Sequence, residues 1–200
     1  MGSSEYRKCI AEQLEASARL KMQMAETCVE AIHETADCII DGLRAGGKVL
    51  LCGNGGSAAD SQHIAAEMVG RFQEHREGMP AIALTTDTSI LTSVANDYGF
   101  NDIFRRQVEA LGNAGDVLIG ISTSGKSENV VMAMEQAKRM GMKRIALTGK
   151  KDGPVSRLAD VTIHVPSDVT ARIQEGHITV GHILCDLAEK AFMKHQTPDK

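Results

Sequence analysis

Between Cys28 and Leu43 the apolar positions recur at spacings of three and four. Cys28, Ile32, Ala36, Ile39 and Leu43 form one stripe along a helix. The pattern predicts helix over 5–45, ended by Gly46-Gly47. Such a length exceeds what one face of a domain needs. The segment therefore either folds back near residues 26–30 or packs its stripe on another subunit. From residue 48 the pattern changes to short apolar runs separated by helical periodicity. Val49–Cys52, Ala81–Leu84, Val117–Ile121, Arg144–Leu147 and Val161–Val165 read as strands. Helices are predicted to about Phe72, over 88–111 with an interruption near Asn96–Asn101, from about Ser127 to Met140, and from about Ala171 to Lys190. This rhythm predicts an α/β fold: an open parallel sheet of five strands, flanked by helices, with an N-terminal helical extension. The expected division is 1–46 for the helical region and its oligomer packing, 47–194 for the domain, and 195–200 for a loose tail.

Composition narrows the function. A 42% hydrophobic content supports a substantial core, and a formal net charge of -4 with few aromatic residues argues against a nucleic-acid platform. No apolar run approaches a membrane span, and the first thirty residues have no signal-like apolar core. Cys9, Cys28, Cys38, Cys52 and Cys185 are scattered and contain no CxxC pair. They suit a reducing cytoplasm rather than a disulfide framework.

In an open parallel sheet, ligands bind beyond the carboxyl ends of the strands. Those ends carry Asn54-Gly55-Gly56-Ser57, Thr85-Thr86-Asp87, Ser122-Thr123-Ser124 and Thr148-Gly149. Any one of these is an ordinary turn; four at one edge suit a phosphorylated polyol. Residues 120–127, Gly-Ile-Ser-Thr-Ser-Gly-Lys-Ser, also fit the Walker A pattern letter for letter. A nucleotide hydrolase needs a second acid at a neighbouring strand end to hold magnesium. Asp87 is the only candidate, and two threonines separate it from its strand. Gly53-Asn54-Gly55-Gly56-Ser57-Ala58 matches the dinucleotide fingerprint, but Glu74, the acid at the right spacing, lies in a polar stretch and not at a strand end. No nucleotide cofactor is expected.

His63 and Glu67 stand at i, i+4 and share a helix face. Spacing alone fits an ordinary solvated pair as well as an acid–base pair. The last predicted helix offers Gln174, His177, His182 and Asp186. Gln174 and His182 are ~12 Å apart along a helix axis, so one metal touches both only at near-maximal reach, through an irregular helix, or with two subunits contributing. Asp186, one turn beyond His182, either orients that ring or faces water.

Taken in order, Cys52-Gly53-Asn54-Gly55-Gly56-Ser57, His63-x-x-x-Glu67, Asn96-Asp97-Tyr98-Gly99-Phe100, Ile121-Ser122-Thr123-Ser124-Gly125, Leu147-Thr148-Gly149-Lys150, Arg172-Ile173-Gln174-Glu175 and His182 closely resemble the bacterial phosphoheptose isomerases. These have the sugar isomerase (SIS) fold, and the resemblance covers essentially residues 5–190. It implies a single SIS domain, a flavodoxin-like three-layer sandwich, acting as a homotetramer with sites between subunits. It implies a phosphate held by Ser122, Thr123, Ser124 and Ser127. Asn54, Gly55, Gly56, Ser57, Asn96, Asp97 and Gln174 would line the sugar. Glu67 and His182 would be the acid–base residues, and His63, Glu67, Gln174 and His182 would hold one zinc ion per subunit. The implied reaction converts sedoheptulose 7-phosphate to D-glycero-D-manno-heptose 7-phosphate, the first step of ADP- or GDP-heptose biosynthesis. Ala171 departs from family members that carry an acid there, so no substrate contact is expected at that position. A non-catalytic SIS protein that binds a sugar phosphate or a replication-initiation partner is the competing expectation. Such a relative lacks counterparts of Glu67 and His182, and this chain has both.

Overall fold

The structure is a computed structural model, and it describes residues 2–193. The expected tail, 195–200, lies outside the described residues. β1 (Val49–Gly53), β2 (Ala81–Ala83), β3 (Val117–Ser122), β4 (Lys143–Gly149) and β5 (Val161–Val165) form one sheet in the order β2-β1-β3-β4-β5. All four pairings are parallel. The order reverses at β1/β3, the switch point at which sheets of this type bind ligands.

Alternate strand residues feed opposite faces of the sheet, and both faces are buried. Val49, Leu51, Val117, Ile119 and Ile121 pack beneath α2 (Val29–Arg44), α3 (Gly56–Val69) and α8 (Thr170–Met193). Leu50, Cys52, Leu118 and Ala146 pack beneath α5 (Ile103–Leu111), α6 (Glu128–Arg139) and α7 (Pro154–Leu158). α4 (Thr88–Asp97) lies beside α5, separated from it by a short 3-10 turn at Phe100–Asp102. This is the expected three-layer sandwich.

The N-terminal segment departs from the expected division at 46/47. The stripe Ile32, Ala36, Ile39 and Leu43 is buried in the same core as β1 and β3, so α2 is a layer of the sandwich and not an extension. α1 (Ser3–Thr27) buries only Leu20 and Met24 and protrudes. The chain does not fold back at the break between them. Cys28 keeps helical dihedrals, and hydrogen bonds from Cys28 N to Met24 O and from Ile32 N to Cys28 O carry the ladder across. Tyr6, Ile10 and Leu14 remain exposed on α1.

α3 ends at Val69, three residues short of the expected end, where Gly70 closes the last turn on the Ala66 carbonyl. Among the described residues no helix is long and apolar enough to cross a membrane.

Candidate active site

β1 runs into Asn54-Gly55-Gly56 and then directly into α3. Gly55 has φ +58 and ψ -122, a conformation a residue with a Cβ resists, so the tight turn needs glycine. Asn54 exchanges two side-chain hydrogen bonds of 2.9 Å with Asn129, a buried residue in the first turn of α6. This reciprocal amide pair joins the loops after β1 and β3 across the switch point. Asn129 carried no signal in the sequence, because a polar residue in a first helical turn is ordinary.

The serine turn after β3 is built locally. Gly125 sits at φ +65 and returns its N–H to the Ser122 carbonyl. The hydroxyls of Ser122 and Ser127 lie 2.9 Å apart, and Ser124 Oγ accepts from Lys126 N. Ser127 is the N-cap residue of α6, yet its hydroxyl turns to Ser122 instead of capping a backbone N–H. The helix N-terminus therefore stays without a side-chain cap, a place where an anion is favoured by N–H groups and the helix dipole. Lys126 is exposed. A cleft of ≈ 270 Å³ opens beside Thr123 and Ser124, with Lys150, Lys151 and Asp168 on its far wall. Asp168 takes a hydrogen bond from Lys150, which with the nearby charge of Lys151 holds its carboxyl below the usual range. Asp87 accepts from Ile90 N as the cap of α4, so its carboxylate is engaged in a helix cap and not aimed at a magnesium site.

The second cluster is assembled from distant parts of the chain. α3 and α8 follow strands of a parallel sheet and run side by side in the same direction. They pack tightly at Gly181, where an added Cβ would lie 2.6 Å from Ile64 Cδ1. The residues next in sequence then meet. His63 Nε2 lies 3.4 Å from His182 Nε2 and 3.2 Å from Glu67 Oε1, and the two rings make an edge contact at 5.0 Å. Phe72 flanks His182 with ring centroids 5.6 Å apart. Two ionisable side chains, Glu67 and His182, thus meet at one ring nitrogen of His63, which carries at most one proton. The side chains of His63 and Glu67 are 46% and 26% exposed, so the group is open to a ligand. Asp60, one turn before His63, has a buried oxygen without a hydrogen-bond partner. Burial raises its carboxyl pKa, opposed by the His63 charge.

The other sequence candidates fall elsewhere. Gln174 faces the first turn of α3, where a Cβ on Gly56 would lie 2.4 Å from its Nε2. That contact is ~10 Å along α3 from His63. Gln174 therefore belongs with the Asn54–Ser57 turn in this chain and does not join the histidines. Ser57 is buried behind that turn. Asn96 and Asp97 end α4, exposed and hydrogen-bonded to each other; among the described residues no hydrogen bond joins them to the other candidates. Asp186 pairs with Lys190 and does not orient His182. His177 is a core residue. Burial pushes its pKa down to about 4, only partly offset by a contact to the Thr148 carbonyl, and it is neutral at physiological pH.

The donor set His63, His182 and Glu67 has the chemistry of a zinc site. Ligand atoms on a tetrahedral zinc stand roughly 3.3 Å apart, close to the spacings around His63 Nε2. Among the described residues no three His, Cys, Asp or Glu side chains already converge on one point.

Residues 13–149 match the family model of the SIS domain. A phosphoheptose isomerase of Roseiflexus sp. is 50% identical over 96% of this chain and 98% of its own length. One from Aquifex aeolicus is 56% identical over 87% of this chain and 91% of its own length. The solved structure of phosphoheptose isomerase from Neisseria gonorrhoeae superposes with a TM-score of 0.88 at 46% identity, covering 92% of this chain and 99% of that one. The chain belongs to the phosphoheptose isomerase family of SIS-domain proteins.

Proposed function

We propose that this protein is an aldose–ketose isomerase that converts sedoheptulose 7-phosphate to D-glycero-D-manno-heptose 7-phosphate, supplying ADP- or GDP-heptose synthesis in the cytoplasm. The meeting of His63 and Glu67 of α3 with His182 of α8 carries the reading. Family membership supplies the substrate class.

The reaction moves one proton between C1 and C2 of the open-chain sugar through an enediol. Glu67 takes that proton from one carbon and returns it to the other, since a carboxylate reaches both on one face. His182 gives and takes the proton at the sugar oxygens. His63 Nε2 lies within reach of both partners and, with at most one proton, bonds to one of them at a time. The Ser122, Thr123, Ser124 and Ser127 hydroxyls at the uncapped start of α6 bind the phosphate, as sequence and local geometry support. Asn54, Gly55, Gly56 and Gln174 line the polyol, and Asn96 and Asp97 serve it from the end of α4. The phosphate and the reacting carbons lie at opposite ends of a seven-carbon chain. That layout suits a cradle at the start of α6 and an acid–base group held apart from it on α3 and α8.

His63, Glu67 and His182 are the residues that would hold zinc. When bound, zinc would polarise the carbonyl and hydroxyl oxygens as a Lewis acid. Gln174 reaches such a site only if a second subunit supplies it. The exposed Tyr6, Ile10 and Leu14 stripe on α1 supports a tetramer with sites shared between copies.

The test is incubation of purified protein with sedoheptulose 7-phosphate, with product identification and elemental analysis of protein prepared without chelator. Formation of the aldose is expected, with zinc near one per subunit. Absence of turnover would remove the isomerase reading.

A further inference from the structure

Arg76 and Glu189 form a buried ion pair, with Nε to Oε2 at 3.2 Å and side chains only 1% and 2% exposed. Each partner makes several further contacts, and these point to the acid–base group. The Arg76 guanidinium donates to the Glu67 carbonyl from Nη2, and to the Met68 and Glu77 carbonyls from Nη1, all at 2.9 Å. A longer contact reaches the Gly70 carbonyl at 3.5 Å. It thereby satisfies carbonyls that the end of α3 leaves open, with the sign of charge that a helix C-terminus favours. One of them is the carbonyl of Glu67 itself.

Glu189 sits two helical turns beyond His182 on α8, near the same face. Its Oε2 accepts from Phe72 N, and its Oε1 accepts from Gln73 N and Glu74 N, each at 2.9 Å. Phe72 in turn packs on the His182 ring. The pair therefore ties the backbone of Glu67 and the ring beside His182 to one point on the helix that carries His182. Burial works against the Glu189 charge, but the three backbone N–H groups and Arg76 outweigh it and hold the carboxyl below its usual range. A buried pair is a poor way to gain stability, since apolar side chains of similar size serve as well or better. Its value is geometric.

We infer that Arg76 and Glu189 are positioning residues that set the spacing of Glu67 and His182 across α3 and α8. The inference rests on the isomerase reading of those two side chains, and its test separates the two.

The variant Glu189→Gln keeps the size of the side chain and removes its charge. With sedoheptulose 7-phosphate, kcat is expected to fall at least about tenfold with KM within about twofold, the mark of an interaction felt in the transition state. In the substrate-free protein, the ring-nitrogen NMR resonances of His63 and His182 are expected to shift, while those of His164, which lies on β5, stay in place. The double variant Arg76→Met/Glu189→Leu leaves no unpaired buried charge. It is expected to fold and to show the same loss and the same shifts. Wild-type kcat and unmoved resonances in either folded variant would overturn the inference, and so would failure of both to fold, which would make the pair purely structural. If wild-type protein shows no turnover, the isomerase reading fails while the resonance comparison still judges the positioning role.

Discussion

The serine turn and the His63–Glu67–His182 cluster are built in opposite ways. The turn lies within six residues of chain, Ser122 to Ser127, and its shape comes from one glycine and hydroxyls that bond each other. The cluster joins residues 119 apart, and its shape comes from the packing of two helices at Gly181 and Ile64. A locally encoded site tolerates changes elsewhere in the fold and responds mainly to its own letters. A site made by packing is exposed to any change in how the helices meet. In this protein the tolerant site would bind the inert phosphate, and the sensitive one would do the chemistry.

The largest separation of the two regions is expected from Glu67→Gln. Loss of a proton-transferring carboxylate lowers kcat by about a thousandfold, while phosphate binding, followed by competition with an inert sugar phosphate, stays intact. Full activity in this variant would assign the proton transfer to another group. Gly181→Ala tests the packing origin of the cluster without touching its side chains. Its Cβ meets Ile64, so overpacking is expected to cost about 1–3 kcal/mol in denaturant unfolding and to lower kcat more than it raises KM. An unchanged kcat would show that the cluster does not depend on this contact. The smallest effects belong to the turn. Ser124→Ala is expected to raise KM by roughly tenfold, through loss of a hydrogen bond to a charged group. Lys126→Ala is expected to stay within about twofold of wild type, as an exposed charge screened by solvent. A larger loss from Lys126→Ala than from Ser124→Ala would reverse the reading of the turn and reopen the nucleotide alternative.

The same contrast explains what the sequence made legible. Apolar runs at strand length, separated by helical periodicity, are local patterns, and all five strands appear within two residues of their expected ends. The serine turn and the His63–Glu67 spacing are local too. What escaped is long-range. Nothing in the stripe at Cys28–Leu43 says whether it packs on its own sheet or on another copy, and α2 turned out to be a layer of the sandwich. Asn129 is an unremarkable helix-start residue until Asn54 meets it. Glu189 resembles any surface acid near a helix end, and only the arrival of the 72–76 segment makes it a buried anchor. Gln174 and His182 share a helix and a family motif, yet the unbroken course of α8 keeps them apart in one chain.

The central claim is that Glu67, held beside His63 and His182, carries a proton between two carbons of a heptose phosphate. Running the isomerisation in deuterated water and examining the product by NMR tests it most directly. Proton transfer through an enediol places solvent deuterium on the carbon next to the new carbonyl to the extent that the proton held by Glu67 exchanges before it is returned, and Glu67→Gln abolishes both the label and the product. Product formed by Glu67→Gln at the wild-type rate, with deuterium at that carbon as in wild type, would assign the proton transfer to another group and contradict the role given to Glu67.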